Sequence, residues 1–160
     1  MSVEMSEHRY PIRFQHLGIR ENSAGPGEHR GGCGTEYGIT ALSDCLVSVL
    51  GDRVDHVPFG VNGGGSAAAN NVWFQRGGQR WVPEMRSKAE KVPLGTGDTV
   101  YLASPGGGGY GDPSKRDIRA VERDLNLGFI DRGTAERIYG ATVEETGILH
   151  DQRRFRARRE

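Results

Sequence analysis

Through residue 103 the apolar positions of this chain recur with a period of two, in short runs divided by turn residues. Beyond residue 112 the period lengthens to that of a helix. Residues 10–19 (YPIRFQHLGI) predict a strand with a bend. A polar, glycine-rich loop follows over 20–34, centred on Gly25-Pro26-Gly27. Residues 35–42 and 45–50 predict two strands divided by Ser43-Asp44, and Gly51-Asp52 is a turn signal. A second flexible segment covers 62–71 (NGGGSAAANN). Residues 72–75 and 80–83 predict a hairpin around Gly77-Gly78. Residues 86–92 read as a polar stretch outside the pattern, and 95–98 turn the chain into one more strand.

That strand, with Val100 and Leu102 on one face, opens the stretch that divides the chain, DTVYLASPGGGGYGDP over 98–113. Four consecutive glycines are costly to order. They are kept where something approaches the backbone closely or where φ must be positive. Gly106, Gly108 and Gly111 match the G-x-G-x-x-G spacing of a dinucleotide turn. The match falls too late in the chain to open a βαβ unit, and Asp112-Pro113 places a helix start after the glycines. With 25 glycines in 160 residues such spacings also arise by chance, so no nucleotide site is assigned. Two helices are expected next. The first is capped by Asp112, with Pro113 in its first turn, Ile118, Val121 and Leu125 on one face, and Gly128 as its stop. The second is capped by Asp131, with Ile130 stapling onto Ala135, an apolar face of Ile138 and Tyr139, and Gly140 as its end.

Composition sharpens this picture. Only 35% of residues are apolar, which points to a thin core and much irregular backbone. No apolar run approaches the roughly 20 residues of a membrane span, and residues 1–10 lack a signal-peptide core. A cytoplasmic location is expected, with no membrane partner. Cys33 and Cys45 are too few for a thiolate zinc site and are expected reduced. His8, His16, His29, His56 and His150 show no metal-binding spacing, so no metal ligand is assigned. His29 and Cys33 stand four apart, but nucleophile–base pairs form in space rather than in sequence, so no catalytic residue is assigned either. Net charge is zero, yet 18 of the 21 basic residues are arginine, the cation enriched at protein interfaces. Residues 151–160 (DQRRFRARRE) hold five arginines against two acids. One phenylalanine among them is too little aromatic interleaving for a nucleic-acid module, so this tail reads as a frayed terminus or an arm for a protein partner.

Turn signals about every ten residues predict a mainly β (α+β) fold, a small β-sandwich or partly open barrel with two short C-terminal helices. The expected organisation is a glycine-rich β domain over 1–111, a helical hairpin over 112–140 packed on it, and an extended arginine-rich tail over 141–160.

Several blocks carry a resemblance. They are Arg9 to Phe14 (RYPIRF), Ser23 to Gly27 running into Arg30-Gly31-Gly32, and Phe59 to Gly64 (FGVNGG). Ser87-Lys88-Ala89, Gly97-Asp98 and Ser104 to Pro113 complete the set. In this order, over roughly 9–140, the chain resembles the C-terminal part of hydantoinase B/oxoprolinase family subunits. Within the family it is most similar to the small subunit of acetophenone carboxylase. The resemblance implies a small, non-catalytic subunit of an ATP-dependent carboxylase, a ligase that joins an aryl ketone to bicarbonate. Alone, the chain would be inactive. It also implies large hydantoinase A-like and hydantoinase B-like partners in a hetero-oligomer. ATP and a divalent metal ion would sit on those partners, with no cofactor on this chain. A cyclic amide hydrolase of hydantoinase or oxoprolinase type, and a free-standing binding module using the arginine tail, are the alternatives. The expected subunit-contact residues are Gly25, Gly27, Arg30, Gly31, Gly32, Gly63, Gly64, Pro105, Gly106, Gly107, Gly108, Gly109, Tyr110 and Gly111.

Overall fold

The structure is a computed structural model that describes residues 2–143 and 149–151; the arginines of the tail lie outside the described residues. The chain forms two compact units. Met1–Gly18, Thr35–His56 and Ala69–Ser104 build the first, and Ile19–Gly34, Val57–Ala68 and Pro105–Glu160 the second.

The first unit is a two-layer β-structure. β1 (Ile12–Ile19), β2 (Thr35–Ala41), β7 (Thr99–Ala103), β4 (Asn71–Arg76) and β5 (Gln79–Trp81) form a five-stranded sheet in the order β1-β2-β7-β4-β5. β3 (Cys45–Leu50) and β6 (Lys88–Leu94) form a separate antiparallel ribbon. Alternation explains the layering, because every second side chain points to one face. Val72, Phe74 and Val100 of the sheet meet Val92 and Leu94 of the ribbon, with Cys45, Val47 and Val49 packed against them. Of the two arrangements the sequence leaves open, a small sandwich or a partly open barrel, the packed sheet and ribbon correspond to the sandwich. The expected hairpin is there too. Gly77 and Gly78 take φ of 52° and 81° between β4 and β5, the two positive values that a two-residue hairpin turn needs.

Two elements of this unit depart from the sequence reading. Residues 86–92 are not a polar connection but contribute most of β6. Its register slips between Val47 and Val49, and Lys91 sits at φ 52°. The bulge breaks the alternation that marks a strand. The N-terminal stretch forms a short helix, α1 (Val3–Arg9), where only strands were expected before the glycine run. Ser2 caps it, its hydroxyl accepting from the Met5 amide, and among its residues only Ser6 is buried. It has no apolar stripe to read.

The second unit gathers the three glycine-rich loops and the C-terminal helices. Asp112 caps a single 3₁₀ turn, Pro113–Lys115, rather than a helix. The helix α2 (Ile118–Asn126) starts one turn later on its own cap, Asp117. Gly128, just past its end, has φ 69°. Asp131 caps α3 (Arg132–Tyr139), and Gly140 stops it in the left-handed conformation at φ 64°. β8 (Ala141–Val143) pairs antiparallel with β9 (Leu149–Asp151). Val121, Ile130, Ala135, Tyr139, Ala141 and Val143 form the buried cluster of this unit, with Ile118, Leu125 and Ile138 at its margin. The helix faces read from the sequence are therefore the ones buried.

Candidate functional site

All fourteen sequence-predicted contact residues fall in the second unit, on three loops laced together backbone to backbone. The first loop (19–34) hydrogen-bonds the third (105–111) through Gly25 N to Gly107 O at 2.8 Å and Gly107 N to Gly32 O at 2.9 Å. His29 and Tyr110 exchange both amide hydrogen bonds at 2.9 Å. The second loop (57–68) joins through Gly65 N to Pro26 O at 2.7 Å, Gly109 N to Gly65 O at 3.0 Å and Val61 N to Gly109 O at 2.9 Å. Gly111 N closes the set on Val61 O at 3.0 Å.

This lacing explains the glycines. A Cβ on Gly31 would overlap the carbonyl of Gly107, one on Gly109 that of Pro26, and one on Gly108 that of Phe59. A Cβ on Gly27 would lie 2.6 Å from the Tyr110 oxygen. Gly25, Gly64 and Gly106 are closed in the same way by backbone atoms. The close approach that the sequence demanded is made by the chain's own main chain. Gly32, by contrast, has open space where a side chain would go. Gly60, whose Cβ would meet Gly64, belongs to the set and was missed, although it stands in the FGVNGG block.

The amides of the glycine run are largely spent within the chain. A phosphate cradle presents free backbone N–H groups to its ligand. Here the amides of Gly107, Gly109, Tyr110 and Gly111 all donate to carbonyls of the chain itself.

A buried carboxylate anchors the loops to the helices. Asp124 of α2 is fully buried. Its Oδ2 accepts from Arg30 Nε at 2.8 Å and from an Arg116 terminal nitrogen at 2.7 Å, and its Oδ1 accepts from Arg30 at 3.2 Å. The same two arginines reach the loop backbone. Arg30 donates to Gly31 O at 2.7 Å, and Arg116 donates to Glu28 O at 3.1 Å. Phe129 lies under the Arg30 guanidinium at 5.0 Å and Tyr139 under Arg116 at 5.9 Å. The hydrogen bond to Asp124 raises the Arg30 pKa above its ordinary value, while burial pushes the Tyr139 phenol up. Arg30 was singled out from sequence, but Asp124 and Arg116 were not. Arg30 and Asp124 are 94 residues apart, and no local motif joins them.

Among the described residues no group of three or more His, Cys, Asp or Glu side chains could hold a metal ion. The Cys33 thiol accepts from an Arg30 terminal nitrogen at 3.3 Å. In the first unit, a surface cavity of about 650 Å³ is lined by residues 51–56 and 84–88. Two of its cations are already matched to carboxylates, Lys88 with Asp52 at 2.8 Å and Arg86 with Asp55. None of the sequence-predicted residues lines it. No helix among the described residues is long and apolar enough to cross a membrane.

The chain's relatives agree with the sequence on the family it comes from. The hydantoinase B/oxoprolinase family model matches residues 1–113, and the chain belongs to that family. It is 37% identical over 141 residues to an uncharacterized protein of Methanocaldococcus jannaschii, covering 88% of this chain and 24% of that protein. It is 30% identical over 144 residues to a Pseudomonas sp. strain NS671 protein provisionally named as the B-type component of a D-/L-hydantoinase, covering 90% and 24%. The chain thus spans about a quarter of the length of these curated relatives. Two solved structures share the fold. An ATP-dependent caprolactamase from Pseudomonas jessenii matches with a TM-score of 0.80 at 23% identity, over 99% of this chain and 28% of that one. A nucleotide-free acetone carboxylase matches with a TM-score of 0.79 at 20% identity, over 99% and 26%.

Proposed function

We propose that this chain is a small, non-catalytic subunit that completes a large hydantoinase B-like subunit within an ATP-dependent complex. The complex would be a carboxylase of the acetophenone carboxylase type, with ATP and a divalent metal ion held by hydantoinase A-like and B-like partners. One observation carries this reading. Nearly all of this chain aligns with relatives and solved chains of which it makes up only about a quarter. A fold that is one part of a larger polypeptide in its relatives is suited to fitting against the rest of such a polypeptide. The glycine module supports the role, because it presents a fixed surface that needs no ordering when a partner arrives.

A second reading is favoured by the relatives' own names. The Pseudomonas relative is named for a hydantoinase and one solved structure is a caprolactamase, both cyclic-amide names. In that reading the same subunit serves an ATP-dependent amide hydrolase. Co-expressing the chain with large A-like and B-like subunits encoded in the same genome, and assaying the purified complex, separates the two. Bicarbonate-dependent ATP turnover with an aryl ketone supports the carboxylase, and ATP-dependent ring opening of a hydantoin or lactam supports the hydrolase. A monodisperse chain that catalyses either reaction alone overturns the subunit role.

A further inference from the structure

We infer that a small cavity between the sheet and the ribbon of the first unit binds an uncharged ligand, a single six-membered ring carrying one carboxamide. The inference does not depend on the subunit reading above. The cavity measures about 130 Å³ and lies wholly within the first unit. It shares Gly51 and Ser87 with the larger cavity, whose charged side chains do not line it. Tyr37 of β2 pairs with Leu102 of β7, and Leu102 pairs with Val72 of β4. The three side chains therefore stand in one row on the face that meets the ribbon. From the ribbon come Val49 and Leu50. Leu50 is 88% exposed, so the cavity opens to water on that side.

The polar end of the cavity is held in place by backbone. The Ser87 hydroxyl donates to Gly51 O at 2.8 Å, and the Gly51 amide donates to Ser87 O at 2.9 Å. The Asn70 amide donates to Arg53 O at 2.9 Å. Asn70 Nδ2 lies over Gly51, where any Cβ would displace it. Among the described residues, neither the Asn70 carboxamide nor the Tyr37 hydroxyl has a hydrogen-bond partner. Half-buried polar groups left unpaired on a fixed frame are completed by whatever enters beside them. A carboxamide carries its donor and its acceptor side by side, so a second carboxamide meets both at once.

The walls limit what that ligand can be. No Asp, Glu, Lys, Arg or His lines the cavity. An ion would enter between Val49, Val72 and Leu102 without a counter-charge, at a large desolvation cost. An apolar cavity of about 150 Å³ holds a benzene ring, so 130 Å³ open on one side takes one ring with a single small substituent.

The test is an NMR titration of the full chain with benzamide, benzoate and toluene, read at the methyl groups of Val49, Val72 and Leu102 and at the Asn70 side-chain amide. Benzamide should shift these signals with a Kd of about 1 mM or tighter. Benzoate brings a charge and toluene lacks the amide, so each should bind at least about tenfold more weakly. Val49→Phe fills the space and should abolish the shifts. Asn70→Leu removes a side chain that bonds nothing in the chain, and it should erase the preference for benzamide over toluene. The wild-type titration needs no variant, so it decides the matter even if Val49→Phe disturbs folding. Toluene binding as tightly as benzamide would make the cavity an unselective apolar void and overturn the inference. Equal binding of benzoate, shifts confined to other residues, or no shift at about 10 mM benzamide would overturn it as well.

Discussion

Substituting Asp124 by asparagine removes one charge and almost no volume, so it isolates what the buried carboxylate does. In the native chain two guanidinium groups converge on it at 2.7 and 2.8 Å, with side-chain exposures of only 8% and 15%. Asparagine keeps one acceptor oxygen, but it turns an NH₂ donor toward arginines that have only donors. Two cations then remain in a site with little access to water. Breaking a buried ion pair by removing one partner costs about 3–5 kcal/mol. That is a large part of a typical domain stability of roughly 5–15 kcal/mol. The loss should appear first in the loops that Arg30 and Arg116 hold. Native-state amide exchange at Gly107 and Gly109 should speed up by about 150- to 4,000-fold, which is the same free energy at about 1.4 kcal/mol per factor of ten. Replacing all three groups, as Arg30→Met/Asp124→Leu/Arg116→Met, should recover much of the loss, because no unpaired charge stays behind. Both tryptophans, Trp73 and Trp81, lie in the first unit, so their fluorescence reports separately on that unit. An Asp124→Asn chain whose loop exchange changes by less than about fivefold, roughly 1 kcal/mol, would refute the argument that this carboxylate anchors the loops.

Gly31→Ala and Gly32→Ala, adjacent in sequence, should differ sharply. A methyl at Gly31 meets the Gly107 carbonyl and should cost about 1–3 kcal/mol or more in a denaturant melt, while Gly32→Ala has open space and should be neutral or slightly stabilising. Asp131→Ala should cost about 1 kcal/mol by removing the cap of α3, whose side chain accepts from the Thr134 amide at 2.6 Å. That amide holds the folded-state pKa of Asp131 below its ordinary 3.8. The cap's contribution is therefore complete above about pH 4 and is lost as pH falls through the folded pKa. Acid unfolding of wild type and Asp131→Ala should converge at low pH, and a constant gap down to pH 2 would contradict the assignment.

How much of this was readable depends on how local each signal is. The β4–β5 hairpin and α3 were legible because a Gly-Gly pair, an aspartate cap and a left-handed glycine each fix conformation within a few residues. β6 was not, since its bulge at Lys91 breaks the alternation. α1 was not, because it buries only a serine. At the candidate site the glycines announced that backbone would be approached closely, but not by what. The sequence reading looked outward to a partner, and the structure places the chain's own loops against them. Arg30 was visible in its block, whereas Asp124 sits in an unremarkable helix and joins the loops through Arg30, 94 residues away, and through Arg116, eight residues before it.

The glycine module also has a thermal consequence. Its interior is main chain touching main chain, so opening it wets amides rather than hydrocarbon. Polar exposure lowers the heat capacity of unfolding, whereas apolar exposure raises it. Melting these loops should therefore add little curvature to the stability profile. They should hold on in the cold, where greasy cores weaken, and a calorimetric trace of the Asp124→Asn chain should show that difference as a flatter, broader shoulder.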